Sequence, residues 1–170
     1  MPLTRDPIAE ARANWERQGW SEEAGPMAAI TAIMRTQQIL LLRIEGVLKP
    51  FGLKFARYEL LALLGFSRHG TLPMSKASAL LQVHPTSVTN VVDRLEKDGL
   101  VRRAPHPTDG RATLIELTQS GREVATRATE ALNEQIFSQP GFSAEDVLTL
   151  TEVLGRFRRD AGDFDDEDQA

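Results

Sequence analysis

The chain has 170 residues, 41% of them hydrophobic and 6% aromatic, with 20 Lys and Arg against 24 Asp and Glu for a net charge of −4. That length suits one domain or slightly more, with a real core. There is no cysteine, which excludes disulfides, thiolate zinc sites and cysteine-based redox sensing. The acidity is local. Asp160, Asp163, Asp165, Asp166, Glu167 and Asp168 crowd the C-terminal end, and without these six acids the balance is 20 cations against 18 anions. The most apolar segment, 27–48, is interrupted by Arg35, Gln37, Gln38, Arg43 and Glu45, so no membrane span is expected. The N-terminal MPLTRDPIAE lacks the apolar run of a signal peptide, so a cytoplasmic location is expected.

In chain order, residues 6–18 predict a short helix with Ile8, Ala11 and Trp15 on one face, broken at Gly19-Trp20-Ser21. Residues 27–49 predict a long helix. Ile30, Ile33, Met34, Leu40, Leu41, Ile44, Val47 and Leu48 recur at three and four, and Pro50 and Gly52 stop it. Ile39 and Leu42 widen the apolar surface beyond one stripe, so contacts on two sides are expected. Residues 55–66 (FARYELLALLGF) predict a supporting core helix, and residues 72–74 a small strand added to the sheet that follows.

Residues 75–118 carry the functional signal. Ser75 is a good N-cap, with Ala77, Leu80 and Leu81 at helical spacing behind it. Pro85 suits the first turn of a second helix. There Val88, Val91, Val92 and Leu95 fall at i, i+3, i+4 and i+7 and predict one buried stripe. Thr86, Asn90, Asp93, Arg94 and Lys97 lie on the opposite side, with Ser87 and Thr89 at its edges. Gly99 suits the left-handed end of that helix. Residues 101–104 and 112–117 predict two strands, joined by PHPTDGR, which is turn chemistry ending in an Arg. Helix, turn, helix and β-hairpin make a winged helix. Short hydroxyls and an amide near a helix N-terminus approach base edges without clashing, and the N-terminus itself favours phosphate. Arg111 at the loop tip suits a minor groove, where negative potential concentrates. Taken alone, the polar side of the second helix is equally an ordinary solvated face.

After the hairpin, a helix to about Phe137 is expected, capped by Thr118 or by Ser120, the latter with Glu123 as a capping box. Gln139-Pro140-Gly141 reads as a turn. Ser143, followed by Asp146, opens a last helix whose Val147, Leu150, Leu154 and Phe157 form a stripe that must be buried somewhere. The run 162–168 is expected to be a solvated tail.

The runs TSVTNVVDRLEKDGLVRR and HPTDGRATLIELTQSGRE resemble the MarR family of bacterial transcription regulators. The D-x-R wing signature stands as Asp109-Gly110-Arg111, and the LT-x-x-G start of the next helix as Leu117-Thr118 to Gly121. Many members have a second Arg in mid-wing, where this chain has Gly110. The resemblance covers about 28–154. It implies a mainly α protein with a small β-hairpin wing, in which a winged helix-turn-helix lobe stands on a helical dimerisation base. It also implies that the first long helix and the last two helices of each subunit interlock into a homodimer. The organisation expected is an N-terminal helical arm at 1–24, the winged-helix domain with its dimerisation helices at 25–160 and an acidic tail at 161–170. The DNA-binding lobe would occupy about 53–118.

The expected DNA contacts are Ser75, Lys76, Thr86, Ser87, Thr89, Asn90, Arg94, Arg103, His106, Asp109 and Arg111. Asn90 can read adenine in a bidentate way. Asp93 is unsuited to phosphate and is expected to orient a neighbouring cation. Arg103 is a candidate partner for Asp109 at the wing base. By the resemblance, a small anionic or aromatic effector binds between base and lobe, with Arg35, Arg43 or Arg57 as candidates for its carboxylate. Some relatives that bind urate-like anions have a Trp-bearing extra helix, so Trp15 and Trp20 are candidate pocket residues; the plainer reading packs the arm on the dimer core.

Other chemistries find no support in the sequence. His69, His84 and His106 show no metal-ligand spacing, and His84 is expected to cap or flank the recognition helix. There is no nucleophile elbow, P-loop or dinucleotide fingerprint. His106 and Asp109 with a nearby hydroxyl crowd a loop without oxyanion donors. No catalytic residue, metal or cofactor is expected. The reading is a sequence-specific DNA-binding regulator, homodimeric on a palindromic operator, a repressor released by a small ligand. The competing class is a winged-helix module for protein interaction or structure without sequence-specific DNA binding.

Overall fold

The computed structural model describes residues 3–81, 85–109 and 112–165. Helix α1 (Pro7–Arg17) begins where Asp6 accepts the Ile8 N–H at 2.9 Å and Pro7 occupies the first turn. After Gly19, at φ +90°, the chain turns into α2 (Ser21–Leu48), which packs against α1. Helix α2 starts six residues earlier than its apolar periodicity indicates. Glu22 and Glu23 in the first turn suit the helix N-terminus, and Ala24 is fully buried. Pro26 inside the helix removes one N–H from the ladder without ending it. Trp15 and Trp20 meet edge to face at 5.3 Å across the bend.

A 3₁₀ turn (Lys49–Phe51) and Gly52 at φ +67° lead into α3 (Phe55–Phe66). Then come β1 (Thr71–Pro73), α4 (Met74–Leu80), α5 (Pro85–Lys97), β2 (Val101–Pro105), β3 (Thr113–Leu117) and α6 (Gln119–Leu132). The sheet is antiparallel in the order β1-β3-β2, with Leu72 and Arg103 both opposite Ile115. The hairpin is therefore the larger part of a three-stranded wing sheet. Helix α4 starts at Met74 with Pro73 in the cap position, so Ser75 lies within the helix and is not its N-cap. Pro73 has the extended backbone of a cap residue, and that moves the boundary back by two.

The core is where the helical stripes meet the inner face of the sheet. Leu48, Leu60, Leu61, Leu64, Val88, Val92, Leu95, Val101, Ile115 and Leu132 are its fully buried large side chains. Val88, Val92 and Leu95 are three of the four residues of the expected stripe; Val91 is only half-buried. No helix among the described residues is long and apolar enough to cross a membrane.

The chain pulls tight where the wing joins α6. Of the two cap candidates Thr118 serves: its Oγ1 accepts the Gly121 N–H at 3.0 Å and donates to the Gly99 and Leu100 carbonyls at 2.8 and 3.0 Å. Gly121 itself lies directly under the Leu100 carbonyl.

Contacts divide the chain into two units, 1–132 and 133–170. The second contains a π turn (Asn133–Phe137) and α7 (Ala144–Asp160). A full capping box joins Ser143 and Asp146, and the Ser143 hydroxyl and N–H hold the Asp146 carboxyl below its ordinary range. At the other end Arg158 donates to Asp163 at 2.6 Å, and the guanidinium groups of Arg158 and Arg159 lie 5.2 and 5.7 Å from the Phe164 ring. The run expected as a solvated tail thus begins folded against the end of α7.

A Cβ at Gly121 would stand 2.0 Å from the Leu100 carbonyl oxygen and 2.8 Å from a Leu117 methyl. The first obstacle is backbone of the wing root and cannot swing aside. Gly121→Ala should lower stability by about 3 kcal/mol in urea unfolding. An unchanged midpoint would mean that the backbone there relaxes freely.

Candidate nucleic-acid interface

With one stripe of α5 buried, its other side is exposed. Ser87, Thr89, Asn90, Asp93, Arg94 and Lys97 all face solvent. Lys76 and Ser75 are exposed on the preceding helix α4. Arg111 and His84 lie outside the described residues, as does the side chain of Thr86.

The wing is braced to α5 through charge. Arg103 in β2 donates from Nη2 to Asp93 Oδ1 at 2.5 Å and from Nη1 to Glu96, and its backbone N–H donates to Glu96 Oε1 at 2.9 Å. Partial burial alone would ease loss of the Arg103 proton. The hydrogen bonds to Asp93 and Glu96 outweigh it and hold the guanidinium above the ordinary arginine range. The cation expected beside Asp93 is therefore Arg103, the residue whose expected partner is Asp109. Glu96 has no place in the sequence reading. Its only sequence signal is the i, i+3 spacing from Asp93, which puts the two carboxylates on one side of the helix.

Two further pairs neutralise cations nearby. Arg102 meets Glu116 across the hairpin at 2.5 Å, and Arg57 meets Asp98 at 3.3 Å. Lys76, Arg94 and Lys97 are the exposed cations of α4 and α5 without an ion-pair partner among the described residues. The face thus offers hydroxyls, one amide and a few cations, with its carboxylates largely matched. At the wing, the His106 N–H donates to the Ala112 carbonyl at 3.1 Å and the Ala112 N–H to the Asp109 carbonyl at 3.0 Å. Asp109 is exposed.

The effector candidates are dispersed. Trp15 and Trp20 meet edge to face at the α1–α2 bend, Arg35 is exposed on α2, and Arg57 is paired with Asp98. Arg43 is also exposed on α2. A separate cleft of about 220 Å³ opens between α3 and α6, lined by Ala62, Phe66, Leu117, Arg122, Thr126 and Glu130 among others. The sequence reading missed it. Its sole signal is the i, i+4, i+8 series Arg122, Thr126, Glu130 on one face of α6. No group of three or more metal-ligating side chains occurs among the described residues.

Residues 56–113 match the model of the MarR family. This stretch holds α3, the exposed face of α5 and the first strand of the hairpin. The chain is also 51% identical to Sco5413, a MarR family transcriptional regulator from Streptomyces coelicolor, with a TM-score of 0.76 over 84% of this chain and 99% of that one. The chain belongs to the MarR family. As a MarR-family transcriptional regulator it is not an enzyme. It is 37% identical over 99 residues to the HTH-type transcriptional regulator YhbI of Bacillus subtilis. That match covers 57% of this chain and 60% of YhbI. A second S. coelicolor MarR-family structure, Sco3205 in complex with DNA, shares the fold at 24% identity, with a TM-score of 0.70 over 84% of this chain and 90% of that one.

Proposed function

We propose that this MarR-family protein is a cytoplasmic homodimer that recognises a palindromic operator, represses from it and leaves it when a small anionic effector binds. The observation that carries the DNA reading is the exposed set Ser87, Thr89, Asn90 and Arg94 on a helix held in place by its buried opposite stripe. Asn90 lies one turn into α5, where a bidentate amide reads an adenine edge. Lys76, Ser75 and Arg94 meet phosphate, and the wing carries Arg111 to the flanking minor groove. Sco3205, solved with DNA, supports this use of the fold. The matched carboxylates also favour DNA over the competing protein-interaction module, because they leave no strong repulsion on the reading face.

The dimer reading rests on apolar surface. On α2, Ile30 is 61% exposed and Leu42 is 72% exposed. On α7, Leu148 is 72% and Phe157 69% exposed, beside Val147, Leu150 and Leu154. A soluble monomer rarely tolerates such faces. The effector reading rests on the α3–α6 cleft. Arg122 Nη2 lies close against Gly70, where an added Cβ would come within 2.9 Å of it. Phe66, 81% exposed, forms an aromatic lip. The cleft is small and suits a single-ring carboxylate. It is favoured over Arg57, which already has Asp98.

Asn90→Ala should relax specificity, with a loss of about 1–3 kcal/mol concentrated at one base pair. Arg111→Ala should weaken binding to most sequences alike and flatten log K against log salt by about two units per dimer, one for each arginine removed from phosphate. Fluorescence anisotropy with single-base variants at several salt concentrations measures both. An Arg111→Ala protein with wild-type affinity and slope would take the wing off DNA. Leu150→Asp combined with Leu154→Asp should unfold the chain or drive aggregation, and a well-folded monomer in light scattering would refute the dimer. Benzoate should release the wild-type protein from operator DNA, and Arg122→Ala should raise the concentration needed about tenfold. Equal release by both proteins would dismiss the cleft.

A further inference from the structure

We infer that His106 is the positioning residue of the wing: its Nδ1 accepts the backbone N–H groups of Thr108 and Asp109, which fixes the turn that precedes Gly110 in the sequence and leaves Nε2 as the ring's N–H donor. The inference rests on the reading of the wing as a DNA-contacting element and extends it to the residue that shapes the wing.

The loop needs such a device. Pro105 and Pro107 flank His106 and supply no N–H of their own. The β2–β3 ladder ends with Pro105 opposite Thr113. Beyond that pair, among the described residues, backbone bonds run from His106 N–H to Ala112 and from Ala112 N–H to Asp109. Among the described residues between His106 and Ala112, Thr108 and Asp109 turn their N–H groups onto the imidazole. Nδ1 accepts from the Asp109 N–H at 3.2 Å and from the Thr108 N–H at 3.4 Å, with the Thr108 hydroxyl also at 3.4 Å. This is an Asx-like turn in which a ring nitrogen takes the place of the usual side-chain oxygen.

The chemistry then dictates the tautomer. A nitrogen that accepts from two N–H groups has its lone pair in the ring plane and carries no proton. The neutral ring must carry its proton on Nε2. The ring is half-buried, so it is held in position while its far edge can still serve as a donor to a phosphate oxygen. His106 thereby works twice, once by shaping the turn at Thr108 and Asp109 and once by presenting the Nε2 N–H at a defined edge.

Three full-length variants test this. His106→Asn keeps an acceptor oxygen near the position of Nδ1. His106→Gln moves its amide one bond outward, towards the position of Nε2. His106→Phe keeps a ring without an acceptor. In the free protein, ¹⁵N NMR should show the Nε2–H tautomer in the wild type, and hydrogen-bonded Thr108 and Asp109 amides in the wild type and in His106→Asn only. Against a duplex selected by the wild-type protein from a random-sequence pool, His106→Asn should bind within about threefold of wild type. His106→Gln and His106→Phe should each lose about tenfold. Thermal melts should coincide for all four proteins, because the loop lies outside the core. A proton on Nδ1 in the wild type, unmoved Thr108 and Asp109 amides in His106→Phe, or an affinity loss in His106→Asn equal to that of His106→Phe would overturn the acceptor role. If NMR shows the bonds broken in His106→Phe while DNA affinity is unchanged, the lock stands and the DNA reading of the wing falls instead.

Discussion

Val88, Val92 and Leu95 bury α5 in the core that Leu60, Leu61, Leu64, Val101 and Ile115 build from α3 and the sheet, and the orientation of the reading face follows from that burial. Each large aliphatic side chain taken out of water contributes about 1.5–3 kcal/mol. The exposed ion pairs on the other side contribute about 1 kcal/mol at most each. A rotation of α5 that exposed the stripe would therefore lose more than any rearrangement of Asp93, Arg94 or Lys97 could restore. The polar face is outward because the apolar one cannot be.

A second constraint acts at the root of the wing. Thr118 ties α6 to the carbonyls of Gly99 and Leu100, and Gly121 lets the α6 backbone come up beneath Leu100. Gly99, at φ +71°, turns the chain from α5 into β2 at the same place. On the far side, Arg103 reaches from β2 back to Asp93 and Glu96 of α5. The wing is thus held to α5 at its root by backbone and, through Arg103 of β2, by charge, so the two elements form one body. The same pairing moderates the exposed face of α5 in an acidic protein: Asp93, Glu96 and Asp98 are already matched with arginines. At the other end of the chain, Asp163 and Phe164 engage Arg158 and Arg159, so part of the terminal negative charge is also locally matched.

Much of this was legible in the sequence because it depends on local periodicity. Spacings of three and four identified the body of α2, α5 and the stripe of α7, and alternation and turn residues identified β2 and β3. Tight turns that need a positive φ stand at Gly52 and Gly99, where a left-handed residue ends a helical segment. The starts of α2 and α4 are less legible. The residues before Met27 have no apolar period, and Pro73 caps α4 through its backbone and not through a side chain, so the signals used to locate helix ends are missing there.

Sequence by itself determined which side of each helix is apolar, that a basic hairpin follows a helix-turn-helix, and that the chain resembles the MarR family. These depend on residues a few positions apart, whose relation along a helix or strand is set by backbone geometry alone. Only the tertiary structure decided which of several carboxylates takes Arg103, that Gly121 sits under a carbonyl, that Arg122 and Phe66 share a cleft, and that the His106 ring faces two backbone donors. Each of these is a distance between groups whose approach is set by how the elements pack or how a loop closes. Periodicity says that a side chain is outside, and it is silent on which neighbour the fold brings within hydrogen-bonding reach of it.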